Sequence, residues 1–182
     1  MKKIKIFLIT LVFLTSLGIS PSRAEEHPRY NIEAAVDTQR KTLAAVEEVT
    51  FTNNSNQNLN EIYFHIYPNR KYSAREKNFM LRYGGYFKVN PFPSGYRDSH
   101  FQIHYVKTEN QTLSFAIEGK DQTILKIPLA KALTPGESVK LTLDFSTNLP
   151  NAYSRFGWID TVFKFSHWYP VLSVHDEKGW SN

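Results

Sequence analysis

Along most of the chain, apolar and polar residues alternate with a period of two, the period of a β-strand. Val139, Leu141, Leu143 and Phe145 alternate with Lys140, Thr142, Asp144 and Ser146. Leu113, Phe115 and Ile117 alternate with Ser114, Ala116 and Glu118, and Leu125, Ile127 and Leu129 with Lys126 and Pro128. Tyr30, Ile32, Ala34 and Val36 form an earlier set, and Val49 and Phe51 close another. Each set is expected to bury one face and wet the other, as antiparallel strands do. Turn chemistry separates the sets: a polar run of Asn, Ser and Gln at 53–58, a tight connection at Glu118-Gly119-Lys120-Asp121, and Thr134-Pro135-Gly136-Glu137. In the last, Pro presets φ and Gly accepts a positive one. Short strands at this spacing indicate an all-β fold, an antiparallel β-sandwich with little helix. Residues 70–80 are the best candidate for a short helix. Residues 83–96 are dense in Gly, Pro and aromatics and read as a long ordered loop.

The N-terminus departs from this pattern. Lys2, Lys3 and Lys5 precede an uncharged apolar run over 6–19, then Pro21, then Ser22-Arg23-Ala24 before Glu25. A basic start, a short apolar run, a breaker and a small-x-small site make a secretory signal peptide, 1–24, ahead of one domain, 25–182. The expected location is outside the cytoplasm: extracellular, periplasmic or in the cell envelope. A retained N-terminal anchor is the alternative, but fourteen residues fall short of the roughly 20 that span a bilayer, so no stable membrane span is expected after cleavage. Composition looks basic, at +5 overall. Without the leader's four cations the balance is 18 basic to 17 acidic side chains. The high isoelectric point thus belongs to the leader and does not argue for a nucleic-acid partner. The remaining Lys and Arg read as scattered over solvated strand faces. There is no cysteine, which excludes disulfides, thiolate metal sites and a Cys nucleophile.

Candidate chemistry is sparse. His100 and His104 have the i, i+4 spacing of zinc ligands on a helix, but Phe101, Ile103 and Tyr105 alternate with them as on a strand. On a strand the two imidazoles stand about 13 Å apart, and both cannot reach one zinc at ~2.0–2.1 Å. His65, in a stretch apolar on both faces, is expected to be a hydrogen-bonded interior residue. No G-x-S-x-G, P-loop, G-x-G-x-x-G or EF-hand loop occurs. Asn53-Asn54-Ser55 and Asn110-Gln111-Thr112 match the glycosylation sequon.

The last thirty residues are the most distinctive: Arg155-Phe156-Gly157, then His167-Trp168-Tyr169-Pro170-Val171-Leu172, then Asp176-Glu177-Lys178-Gly179-Trp180. Upstream lie Tyr30-Asn31-Ile32, Ile66-Tyr67-Pro68-Asn69, Asp121-Gln122-Thr123-Ile124-Leu125 and Leu133-Thr134-Pro135-Gly136-Glu137. In this order the elements resemble the N-terminal β-domain of aminopeptidase-N-like zinc metallopeptidases, peptidase family M1, and of its exported bacterial members most. The resemblance implies a saddle-like sandwich that packs on a separate catalytic domain carrying G-x-M-E-N, H-E-x-x-H and a distant zinc-binding Glu. None of these motifs occurs before Asn182. It therefore implies no catalytic residue, metal ligand or cofactor in this chain, with zinc expected only in a catalytic domain met in cis or in trans. It further implies that the segment holding His167, Trp168 and Tyr169 runs along the substrate cleft. There His167 stands where close relatives carry Asn, and the segment could contribute a polar contact to a peptide amine. The same aromatics equally suit a buried interdomain interface. A stand-alone secreted sandwich that binds protein, peptide or glycan through its aromatic segments is the competing expectation.

Overall fold

The computed structural model describes residues 27–176 and 178–181. The expected signal peptide, 1–24, and its cleavage point lie outside the described residues. No helix among them is long and apolar enough to cross a membrane. In chain order the elements are β1 (Arg29–Asp37), β2 (Thr42–Thr52), β3 (Leu59–His65), a 3₁₀ turn (Tyr67–Asn69), α1 (Ala74–Tyr86), β4 (Phe101–Lys107), β5 (Thr112–Leu113), β6 (Ala116–Glu118), β7 (Ile124–Leu133), β8 (Ser138–Asn148), β9 (Phe156–Ile159), β10 (Val162–Phe165), β11 (Val171–Leu172), β12 (His175–Asp176) and β13 (Gly179–Trp180). They form a five-stranded sheet, β1-β2-β8-β4-β5, a four-stranded sheet, β11-β3-β7-β6, and two small hairpins, β9-β10 and β12-β13. The strand pairs within these sheets are antiparallel. The fold is thus the all-β, sandwich-like class that the alternation implies.

The core follows from the period of two. Leu43, Ala45, Val49 and Phe51 on β2 and Leu141, Leu143 and Phe145 on β8 point inward. Ile62 and Phe64 of β3 and Leu125 and Ile127 of β7 meet them from the second sheet in one cluster. Phe145, fully buried, stacks on Phe101 with ring centroids 5.1 Å apart. The polar run after β2 is a built corner. The Asn53 side-chain amide donates to the carbonyls of Gln57 and Leu133 at 2.7 and 2.8 Å, and its oxygen accepts from the Ser55 N–H at 3.0 Å. With Asn53 buried and its amide committed, the first sequon is not a modification site on the folded chain.

Several strands depart from the alternation, each for a geometric reason. β1 is an edge strand paired only with β2, and most of it stays exposed. The C-terminal segment covers its beginning, where Tyr169 packs edge-on against Tyr30, while Val36 at the far end is bare. The 113–117 set is not one strand. The chain leaves the first sheet after Leu113 and enters the second at Ala116, so Phe115 and Ile117 are exposed. In β4 the register to β8 slips between Ile103 and Tyr105. The slip is a bulge, and beyond it Val106 rather than Tyr105 faces the core.

The largest correction concerns 83–96. Helix α1 continues through Tyr83-Gly84-Gly85-Tyr86 and only then gives way to loop. Ser73 caps its start: Ser73 Oγ accepts from the Glu76 N–H, and Glu76 Oε2 accepts from the Ser73 N–H at 2.8 Å. This is the capping box. Glycine is a poor helix former, but a Cβ at Gly84 would sit 2.5 Å from the Val89 carbonyl oxygen. The returning loop crosses the helix there, and only glycine admits it.

Candidate functional site

The R-F-G element has a structural cause. Gly157 has φ +135°, and a Cβ there would lie 2.3 Å from the Pro150 carbonyl oxygen. That close approach lets the Trp158 N–H donate to the Pro150 carbonyl at 2.9 Å, laying β9 against residues 150–152. The β12-β13 turn works in the same service: the Lys178 N–H donates to Asp176 Oδ1 at 2.8 Å, and Trp180 lands between Phe51 and Tyr63.

The candidate segment, His167 to Tyr169, is split by the fold. Trp168 packs on Phe145 with centroids 6.2 Å apart, and Tyr169 on Tyr30 at 5.7 Å. Both are half-buried against the core. His167 turns the other way. It is exposed and holds a left-handed backbone, φ +52°, an unusual state for a β-carbon-bearing residue. Its Nδ1 lies 2.9 Å from Ser166 Oγ, and its ring meets Tyr67 edge-on at 5.4 Å. His65 completes the row. It is not interior: it is half-exposed at the end of β3, stacks on Tyr67 at 5.2 Å, and its Nε2 pairs with the Ser181 carbonyl at 3.1 Å.

His167 sits on the lip of a cleft of about 520 Å³ between the residues flanking α1 and the segment around β9. The size is ordinary for a small-ligand site. Tyr67, Tyr72, Phe92, Tyr96 and Phe156 supply aromatic walls. Arg70, Arg97 and Arg155 also line it, and no Asp or Glu does. Arg70 is already held by Glu76 at 2.9 Å and more loosely by Asp121 at 4.0 Å. The Ser73 hydroxyl above all, then the Ser73 N–H and Arg70, hold the Glu76 carboxyl down to about 2. Arg97 and Arg155 form no ion pair among the described residues. Tyr96 donates to Asp98, and burial followed by that carboxylate pushes its phenol well above the ordinary range.

The walls are tied together. The Tyr153 N–H donates to the Pro91 carbonyl at 2.9 Å, Ser94 Oγ to Asn151 Oδ1 at 2.9 Å, and the Ser166 N–H to the Arg155 carbonyl at 3.0 Å. Lys71 reaches the Ser99 carbonyl at 2.8 Å. Residues 66–72, 91–99 and 150–167, far apart in sequence, are thereby fixed around one space.

Among the described residues no three His, Asp or Glu side chains converge on a point that could hold an ion. His104, at the β4 bulge, bonds Ser146 Oγ across the sheet at 2.9 Å, and the backbone N–H of His100 is held by Asn148.

Two features escape sequence reading. The arginine convergence is one, because nothing local links Arg70, Arg97 and Arg155. The other is Glu47. It is completely buried on the inward face of β2, opposite Ile32 and Leu143, and neither carboxylate oxygen has a hydrogen-bond partner. Loss of hydration raises its pKa from 4.5 to about 9. Beside it, burial is the main cause pushing the Tyr30 phenol up to about 12. The alternation does contain the signal, since Glu47 occupies an inward position between Ala45 and Val49.

Compared with known proteins, the chain matches no family model and no curated protein. The site is therefore defined by its geometry: an aromatic, arginine-bearing cleft on a cysteine-free β-sandwich.

Proposed function

We propose that this chain is the non-catalytic N-terminal β-domain of an exported, M1-like zinc aminopeptidase, a scaffold that seats the catalytic domain and borders its substrate cleft. The observation that carries the reading is α1. It buries no residue, and Phe79, Tyr83, Tyr86 and Phe87 stand 56–82% exposed on it and just beyond its end. A contiguous exposed aromatic face marks an interaction surface. It adjoins the cleft through Met80, and His167 stands at the other lip. In this reading the catalytic domain rests on the α1 aromatics, and His167 borders the substrate cleft between the two. On the same reading the metal and base that activate water belong to the catalytic domain's H-E-x-x-H, a motif this sequence does not contain.

The test is association in trans. A zinc-loaded catalytic domain from an exported M1 enzyme is titrated with the purified chain by analytical ultracentrifugation. A saturable complex, weakened by Phe79→Ser with Tyr83→Ser, is the expected result. No complex, or one indifferent to those changes, overturns the proposal. Hydrolysis of aminoacyl reporters by the chain alone would also overturn it.

One observation favours a second reading, a stand-alone binding module. Trp158, Phe163, Trp168, Tyr169 and Trp180 pack against the chain's own core instead of lying bare on one face, and of the Phe, Tyr and Trp residues from Trp158 onward only Phe165 stays exposed. A module of this kind would bind without any catalytic domain.

A further inference from the structure

We propose that the cleft between the flanks of α1 and β9 binds a carboxylate carried on an aromatic body, the chemistry shared by a free aromatic acid and by a peptide ending in an aromatic residue. Charge fixes the sign of the ligand. Of the three arginines lining the cleft, Arg70 is offset by Glu76, while Arg97 and Arg155 are exposed and form no ion pair among the described residues; the neighbouring Asp98 accepts from the Tyr96 hydroxyl. A guanidinium fork matches a carboxylate in two parallel hydrogen bonds. The walls fix the body. Phe92 and Tyr72 each pack edge-on against Tyr96, at 5.1 and 6.1 Å, leaving a rigid aromatic corner suited to a flat ring. Phosphate is disfavoured as the body-less alternative. Its usual cradle is a helix N-terminus or glycine-rich turn, and here Glu76 and Ser73 fill the N-terminus of α1.

The cleft is also pre-formed. Arg155 is anchored through its carbonyl to the Ser166 N–H, one residue from His167, and the 91–94 and 150–153 walls are bonded to each other. Little ordering is then left to oppose binding. The proposal needs only the cleft. It goes beyond the scaffold reading and does not depend on it, because that reading is tested through the α1 face and a second protein.

The experiment is calorimetric titration of the purified chain with N-acetylphenylalanine, its primary amide, acetylalanylphenylalanine and inorganic phosphate, followed by ¹⁵N chemical-shift mapping. Both aromatic carboxylates should bind and shift residues around Arg97 and Arg155. A tighter dipeptide assigns the site to peptide ends, and equal affinity assigns it to aromatic acids in general; either sustains the proposal. The amide should bind at least about tenfold more weakly, the value of one charge-assisted bond. Arg97→Gln and Arg155→Gln should each weaken binding about tenfold. Lys131→Gln, on the distant β7 surface, should change nothing. Equal affinity for acid and amide, phosphate binding as tightly as the aromatic acid, indifference to both arginine changes, or no saturable binding would each overturn it.

Discussion

The β2–β8–β4 slab and the segment from β3 to β4 obey opposite rules. β2 and β8 are paired without a break from Thr42↔Asn148 to Thr52↔Ser138. They supply Leu43, Val49, Leu141, Leu143 and Phe145, each at most 2% exposed. The β3–β4 segment holds a 13-residue helix that buries nothing. Charge divides the same way. Residues 70–97 carry seven Lys and Arg and one acid, Glu76, leaving eleven basic against sixteen acidic side chains elsewhere in 25–182. Most basic residues are thus scattered over the rest of the domain, several of them on strands, but the β3–β4 insertion carries a local excess of six positive charges. Burial of apolar surface holds the slab. The insertion is held by hydrogen bonds, a cap and the packing of Tyr72 and Phe92 on Tyr96, and leaves the aromatics of α1 on its outer surface. The buried core and the exposed aromatic surface are carried by different stretches of chain, and that separation can be broken by experiment.

The largest effect should come from the slab. Phe145→Ala removes a ring stacked on Phe101 and touching Trp168. It should cost about 3–5 kcal/mol, read as a lower denaturant midpoint. A loss under about 1 kcal/mol would mean the core lies elsewhere.

Glu47 is the slab's exception, and pH exposes it. Its folded pKa, about 9, lies above the unfolded value of 4.5. Between these limits the folded state binds the extra proton, so stability falls as pH rises and levels off above the folded value. At pH 7 the penalty is on the order of 3 kcal/mol. Glu47→Gln should raise stability by that order at neutral pH and flatten the decline between pH about 5 and about 9. Urea titrations at several pH values check this. An unchanged slope in the variant would assign the pH dependence to other groups.

How legible this was in the sequence divides along the same line. Alternation placed β2, β7 and β8 because each has one face on the core, and it read the stretch around Phe101, Ile103 and Tyr105 as strand, which β4 is. It failed where the environment, not the period, decides. β1 alternates like its neighbour but is an edge with little to cover it. The bulge at β4 exchanges Tyr105 for Val106, which no local residue announces. Gly84 reads as a breaker because its reason is a loop that crosses it five residues later. The site was less legible still. Of His167, Trp168 and Tyr169, only His167 reaches the cleft, because the left-handed turn at His167 sends its side chain outward and returns the next two to the core. The arginines meet only through long-range folding.

Two smaller predictions probe the insertion. Ser73→Ala removes the cap of α1 and should destabilise that helix by about 1 kcal/mol. Because α1 buries nothing, the loss should appear as faster amide exchange along 74–86 with the global midpoint unmoved. A fall in the global midpoint would show that α1 supports the sandwich.

The smallest expected effect is the sharpest test of the comparison. Phe79 and Tyr83 stack at 6.0 Å, yet each is 59% exposed. In a slab strand, two aromatic-to-serine changes would unfold a marginal domain. On α1, Phe79→Ser with Tyr83→Ser should shift unfolding free energy by no more than about 0.5 kcal/mol, since most of each ring already meets water. Solubility should improve, because the exposed apolar face shrinks while the neighbouring Arg75 and Arg82 remain. A loss of several kcal/mol would place these rings against the sandwich in solution. It would turn the insertion from an exposed surface into part of the core.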